Sequence, residues 1–151
     1  MSDSAASHTL TGFPDAATAF VSALEENRRR IAEAAGLTAT ELRAIFHVAK
    51  VVSITPKDLA TYLGMTTGAV TAIARKLVES DLLHRIDHPA DRRSLYLELS
   101  PHGHEVMSEI HGDFKGMLAD STGGLTPDEL EAFTAALRSV SDEVRTRLQR
   151  P

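Results

Sequence analysis

Residues 66–99 limit the possible folds more than any other stretch, because two different periodicities follow one another there. Val70, Ile73, Ala74 and Leu77 recur at i, i+3, i+4 and i+7, the spacing of a helix with one buried stripe. Leu95, Leu97 and Leu99 then alternate with Tyr96 and Glu98, the period of a strand with one buried face. The apolar run at 82–86 precedes that strand, and DHPADRRS separates the two, with Pro89 and Asp91 suited to a loop. Upstream, Thr55 and Pro56 start a further helix as cap and first-turn proline. That helix buries Leu59, Ala60 and Leu63, and Gly64 ends it. Helix, glycine-containing turn and helix at this spacing are the helix-turn-helix signature, and an appended hairpin is a wing. The expected fold class is mainly α with a small β wing, a winged helix-turn-helix.

The face of the 66–79 helix opposite its apolar stripe carries Thr67, Gly68, Thr71, Ala72, Arg75 and Lys76. Short polar side chains followed by cations suit base edges and phosphates in a DNA major groove. Taken alone, a solvated face is the simpler reading. The wing tip changes this, because Arg92 and Arg93 can reach a phosphate or enter a narrow minor groove. A phosphate would repel Asp91, so its useful role is to hold a neighbouring arginine by a charge-assisted hydrogen bond.

The run AVTAIARKLVESDLLHR, the ADRRS loop and the LYLELSPHG that follows closely resemble the MarR family of bacterial regulators, over about residues 13 to 148. The resemblance implies homodimers that bind palindromic double-stranded DNA operators, mostly as repressors. Thr67, Gly68, Thr71 and Arg75 are then expected in the major groove, with Thr66 and Lys57 on backbone phosphate. Arg92 and Arg93 would work the wing, with Asp91 orienting one of them. Two departures stand out: Asp81 replaces the glycine that usually ends the recognition helix, and Arg75 stands where many members have Asp. Many members release DNA when a small phenolic or otherwise amphipathic ligand enters a cleft between the dimer helices and the DNA-binding lobe. By position, Phe20, Leu24, Phe46 and His47, with Arg28 or Arg29, are expected to line it. For the two phenylalanines, core packing is the plainer reading.

The net charge of −5 looks wrong for a DNA binder, but its distribution matters more than its sign. Residues 75–93 carry five Lys/Arg and four Asp/Glu, a net of +1, and the remainder carries −6. Modest non-specific affinity with strong salt dependence follows. The chain has no cysteine, which excludes disulfides, thiol-based sensing and cysteine metal ligands. No apolar run approaches the ~20 residues of a membrane span, and MSDSAASHTL lacks the basic and apolar regions of a secretion signal. The expected location is the cytoplasm, with no membrane partner.

In chain order, residues 1–12 are expected as a loose arm, 13–36 and 100–151 as dimerisation helices, and 37–99 as the winged helix-turn-helix lobe. A first helix runs from about 14 to 35, with Phe13, Ala17, Phe20, Val21 and Leu24 apolar. Its three arginines, Arg28 to Arg30, point to different sides and can pair with Glu25 and Glu26. Thr38 and Glu41 form a capping box for a second helix with Leu42, Ile45, Phe46 and Ala49 inward. The β-branched run at 51–54 can make a third strand. After Ser100 and Pro101 comes a helix with Val106, Ile110, Phe114, Met117 and Leu118 on one side. The last helix carries Leu130, Phe133, Leu137, Val140, Val144 and Leu148, close to a heptad seam that needs a partner.

Other function classes would leave different marks on the sequence. A winged helix that binds protein would keep the core pattern but would not need Arg92 and Arg93. A zinc-responsive regulator would need a site such as His47, His104 and His111 with Glu105 or Asp113, but the spacing lacks the tight pattern zinc prefers, and surface histidines are the default. No metal or cofactor is expected. An enzyme would need a nucleophile beside a base, paired carboxylates or a phosphate-cradling glycine loop, and none is apparent.

Overall fold

Threonine starts four of the helices in the computed structural model, which describes residues 9–87 and 95–150. Thr38, Thr55, Thr66 and Thr126 each have extended backbone, and each hydroxyl accepts the backbone N–H three residues on. They open α2 (Ala39–Val51), α3 (Pro56–Leu63), α4 (Thr67–Glu79) and α6 (Pro127–Leu148). The capping box at Thr38 and Glu41 is closed from both sides, and Thr126 and Glu129 form a second one. α1 spans Phe13–Ala34 and α5 Pro101–Ser121. Ser100 caps α5 by accepting the Gly103 N–H at 2.8 Å.

Three short strands, β1 (Ser53–Ile54), β2 (Leu83–Asp87) and β3 (Leu95–Leu99), form an antiparallel sheet in the order β1-β3-β2. Arg85 and Ile54 both pair with Leu97, and Leu83 pairs with Leu99. Leu97 and Leu99 are buried, but Leu95 is exposed, because it lies beyond the part of the sheet that the helices cover. The third strand is shorter than the β-branched run at 51–54: Val51 ends α2, and Val52 takes φ 71°, ψ −52° to turn the chain.

The described residues form two compact units that divide after Ser108. The core lies in the first unit. Leu42, Ala44, Ile45 and Val48 of α2 meet Leu59 and Leu63 of α3, Val70, Ala74 and Leu77 of α4, and the inner leucines of the sheet. Phe46 and Ala49, expected inward, are half-buried, as is Ile73. Gly103 and Met107, rather than Val106, are the buried residues on the first turns of α5. In the second unit no described residue is buried, and the whole apolar seam of α6 is exposed. On α1 only Ala32 is buried, and Phe13, Phe20 and Val21 are exposed.

Candidate nucleic-acid interface

α3 and α4 are joined by the turn at Gly64, which has φ 67° and caps α3 in the left-handed conformation. Val70, Ala74 and Leu77 bind α4 to the core, so rotation about its axis turns Thr67, Gly68, Thr71, Ala72 and Arg75 outward, and all five are exposed. Thr67, Thr71 and Arg75 follow one another at four-residue steps and make one line along the helix. The Thr71 hydroxyl donates to the Thr67 carbonyl at 2.8 Å, leaving its lone pairs outward. Arg75 is held only loosely, 3.9 Å from Glu79 across two well-exposed side chains.

The first turns of α1, α2, α3 and α6 each carry at least one acidic residue, whereas that of α4, like that of α5, carries none. Its cap, Thr66, accepts the Ala69 N–H, so the positive end of the helix dipole faces solvent without a compensating carboxylate. Lys57 is exposed on the first turn of α3. Asp91, Arg92 and Arg93 lie outside the described residues, between two strands that are in hairpin register. Asp81 has φ 54° and makes, as an aspartate, the left-handed turn that ends α4.

Lys76 departs from the sequence reading. Its ammonium does not join Arg75 on the outer face but lies 2.9 Å from Oε2 of Glu41 on α2. Glu41 is buried, and the same oxygen accepts the Thr38 N–H at 2.8 Å. Burial opposes its charge, but the Thr38 hydrogen bond and the nearby Lys76 outweigh burial and hold the carboxyl below its ordinary value. The capping box was visible in the sequence. A partner 35 residues away was not.

A second feature of the first unit is a groove of about 780 Å3 between α1, α2 and α3. Arg28 and Arg29, Leu42, Arg43, Phe46 and Tyr62 are among its walls. Of the residues expected at a ligand cleft, Phe46 and both arginines line it, whereas Phe20, Leu24 and His47 do not. His47 stacks face to face on Tyr62, with ring centroids 3.5 Å apart and planes 6° from parallel, and the Arg43 guanidinium lies 5.8 Å from the Tyr62 ring. Arg43 and Tyr62 were not found from the sequence, since nothing local links α2 to α3 at that point. Burial and the nearby Lys50 push the His47 pKa below its ordinary value. Among the described residues no group of three His, Asp or Glu is placed to hold a metal ion, and His84 and His102 instead face Glu98 and Glu105.

A glycine-turned helix pair, with the second helix presenting a small polar face and an uncompensated N-terminus beside a three-stranded antiparallel sheet, defines a winged helix-turn-helix regulator. The sequence pattern of the MarR family matches residues 35–94. The chain is 30% identical over 128 residues to the Transcriptional repressor MprA of Escherichia coli strain K12, covering 82% of this chain and 73% of that one. The chain belongs to the MarR family of transcriptional regulators and is not an enzyme. Its fold is shared with the regulator Tm0710 of Thermotoga maritima, at TM-score 0.72 and 18% identity over 92% of this chain and 98% of the other. A mutant of E. coli MarR solved with operator DNA is also similar, at TM-score 0.54 and 22% identity over 82% of this chain and 91% of that one.

Proposed function

We propose that the chain works as a homodimeric repressor that reads a palindromic operator with α4 and the wing. One observation carries this reading: the exposed line of Thr67, Thr71 and Arg75 begins at a helix N-terminus free of acidic residues. Thr67, Gly68, Thr71 and Arg75 meet the major groove, and Thr66 and Lys57 meet phosphate. Arg92 and Arg93 engage the DNA from the wing, with Asp91 orienting one of them. Gly68 and Ala72 offer no side-chain hydrogen bonds, so thymine methyl contacts and DNA shape supply part of the specificity. The name of the MprA relative and the operator-bound E. coli MarR support repression and DNA as partner.

The exposed apolar seam of α6 supports a second copy of the chain as its cover. A two-fold dimer brings two recognition helices ~34 Å apart, into successive major grooves on one face of the duplex. The groove beside Phe46 and Arg43 supports release by a small amphipathic ligand: apolar and aromatic walls take a ring, and the arginines, set beside Glu25 and Glu26, take its polar group. Such a ligand empties the operator only by favouring the DNA-incompetent arrangement by several kcal/mol.

A fluorescence-anisotropy titration against the chain's own upstream intergenic DNA and a scrambled control, at two salt concentrations, tests this. Tight, salt-dependent binding to the upstream DNA with two chains per duplex is the expected result. Equal weak binding to both DNAs, or none at low salt, overturns it.

A further inference from the structure

Glu41 does more than a capping box requires. The second capping box, at Thr126 and Glu129, is exposed, and its carboxylate makes no ion pair among the described residues. Glu41 is only 6% exposed, and its Oε2 receives both the Thr38 N–H and the Lys76 ammonium. A buried carboxylate is costly unless it is paired and hydrogen-bonded, so Glu41 draws in the ammonium of Lys76, although the Lys76 side chain itself is 48% exposed.

Lys76 sits in the last turn of α4, next to Arg75. α4 packs mainly on α3 and β2, and α2 packs on α1, α3 and the sheet. The ion pair is therefore a polar tie between two helices whose main packing partners are α3 and the sheet. Successive helical residues are ~100° apart around the axis. Holding Lys76 toward α2 thus adds to the buried stripe of α4 in keeping the direction in which the Thr67, Thr71 and Arg75 line points.

We infer that Glu41 and Lys76 are positioning residues for DNA recognition: their ion pair locks the rotation that the buried Val70, Ala74 and Leu77 stripe gives α4, and the Lys76 ammonium is committed to Glu41 rather than to a DNA phosphate. The inference rests on the DNA-binding reading above. Charge counting on the sequence would assign Lys76 to the DNA. The structure assigns it to the protein, and the two assignments differ in a measurable way. A phosphate contact contributes about 0.9 to the slope of log K against log salt concentration, whereas a positioning contact contributes nothing to it.

The test is an anisotropy titration of wild type, K76M, K76R, E41Q and the double variant E41Q/K76M on upstream and scrambled DNA from about 50 to 200 mM salt. Urea unfolding of each variant accompanies it. K76M and E41Q should each weaken upstream binding by about tenfold, and the double variant should lose no more than the worse single one. All should keep the wild-type salt slope, and K76R should recover most of the affinity. K76R and E41Q decide the outcome where urea shows that K76M does not fold. A slope lowered by about 0.9 in K76M with E41Q unaffected, or additive losses, overturns the inference. A wild type that selects upstream DNA while all variants bind alike overturns this inference alone. A wild type that does not select it overturns the DNA reading as well.

Discussion

The Ser100 hydroxyl donates a hydrogen bond to the carbonyl of Asp81, nineteen residues earlier in the chain. It thereby ties the start of α5 to the left-handed turn that ends the recognition helix. The same oxygen accepts the Gly103 N–H, so one buried hydroxyl satisfies groups on two turns. Ser100→Ala should cost about 1 kcal/mol, from the lost cap and the lost bond to the Asp81 carbonyl. Urea unfolding should show a lower midpoint at unchanged m-value.

Gly103 lies against the backbone of Leu82, and a Cβ there would sit 3.0 Å from the Leu82 carbonyl carbon, with the carbonyl oxygen nearer still. Backbone cannot swing aside as a flexible side chain can. Gly103→Ala should destabilise the protein by about 3 kcal/mol despite the better helix propensity of alanine. The same unfolding measurement checks it.

Val52 is a β-branched residue at φ 71°, outside the regions such residues normally occupy. It is well exposed, so little packing is lost when it is replaced. Val52→Gly should stabilise the protein by about 1 kcal/mol, seen as a raised thermal midpoint.

Stability should fall with acid in two stages. The His47 pKa is depressed, mainly by burial, so the unfolded chain binds the proton more readily, and stability is lost as pH falls below the ordinary value of 6.5. Glu41 is also depressed, so its contribution is present above the ordinary value of 4.5 and is lost as pH falls through the lower folded value. Thermal midpoints measured against pH should lose the first stage in His47→Phe and the second in Glu41→Gln.

Leu137 lies at the middle of the exposed α6 seam. On a two-fold axis a single substitution enters the interface twice. Leu137→Glu should weaken self-association by at least about a hundredfold, and sedimentation equilibrium should then find monomer.

The parts of this molecule that could be read from the sequence are those set by short-range rules. The caps at Thr38 and Thr55, the Gly64 turn and the outward face of α4 follow from spacings of a few residues, whereas the turn at Asp81 is legible only through the family resemblance. The α4 face was misread only at Lys76, where the deciding partner, Glu41, lies on another helix. Of the residues expected at a cleft, Phe46 and the arginines line this groove and Phe20, Leu24 and His47 do not, while Arg43 and Tyr62 join it unexpectedly, because helix rotation on α1 and the approach of α3 to α2 are tertiary outcomes. Val52 illustrates a different failure. Residue preference indicates a strand there, but chain reversal between α2 and β1 prevails over it.

The stretch from 109 to 150 contains no buried residue. A helical segment without an interior of its own gains its stability by mass action, through the second copy proposed to cover it. Its melting temperature should therefore climb with protein concentration, while that of the residue 37–99 core should not. Operator occupancy would then rise more steeply than linearly as the protein accumulates, giving a dosage threshold even without any inducer.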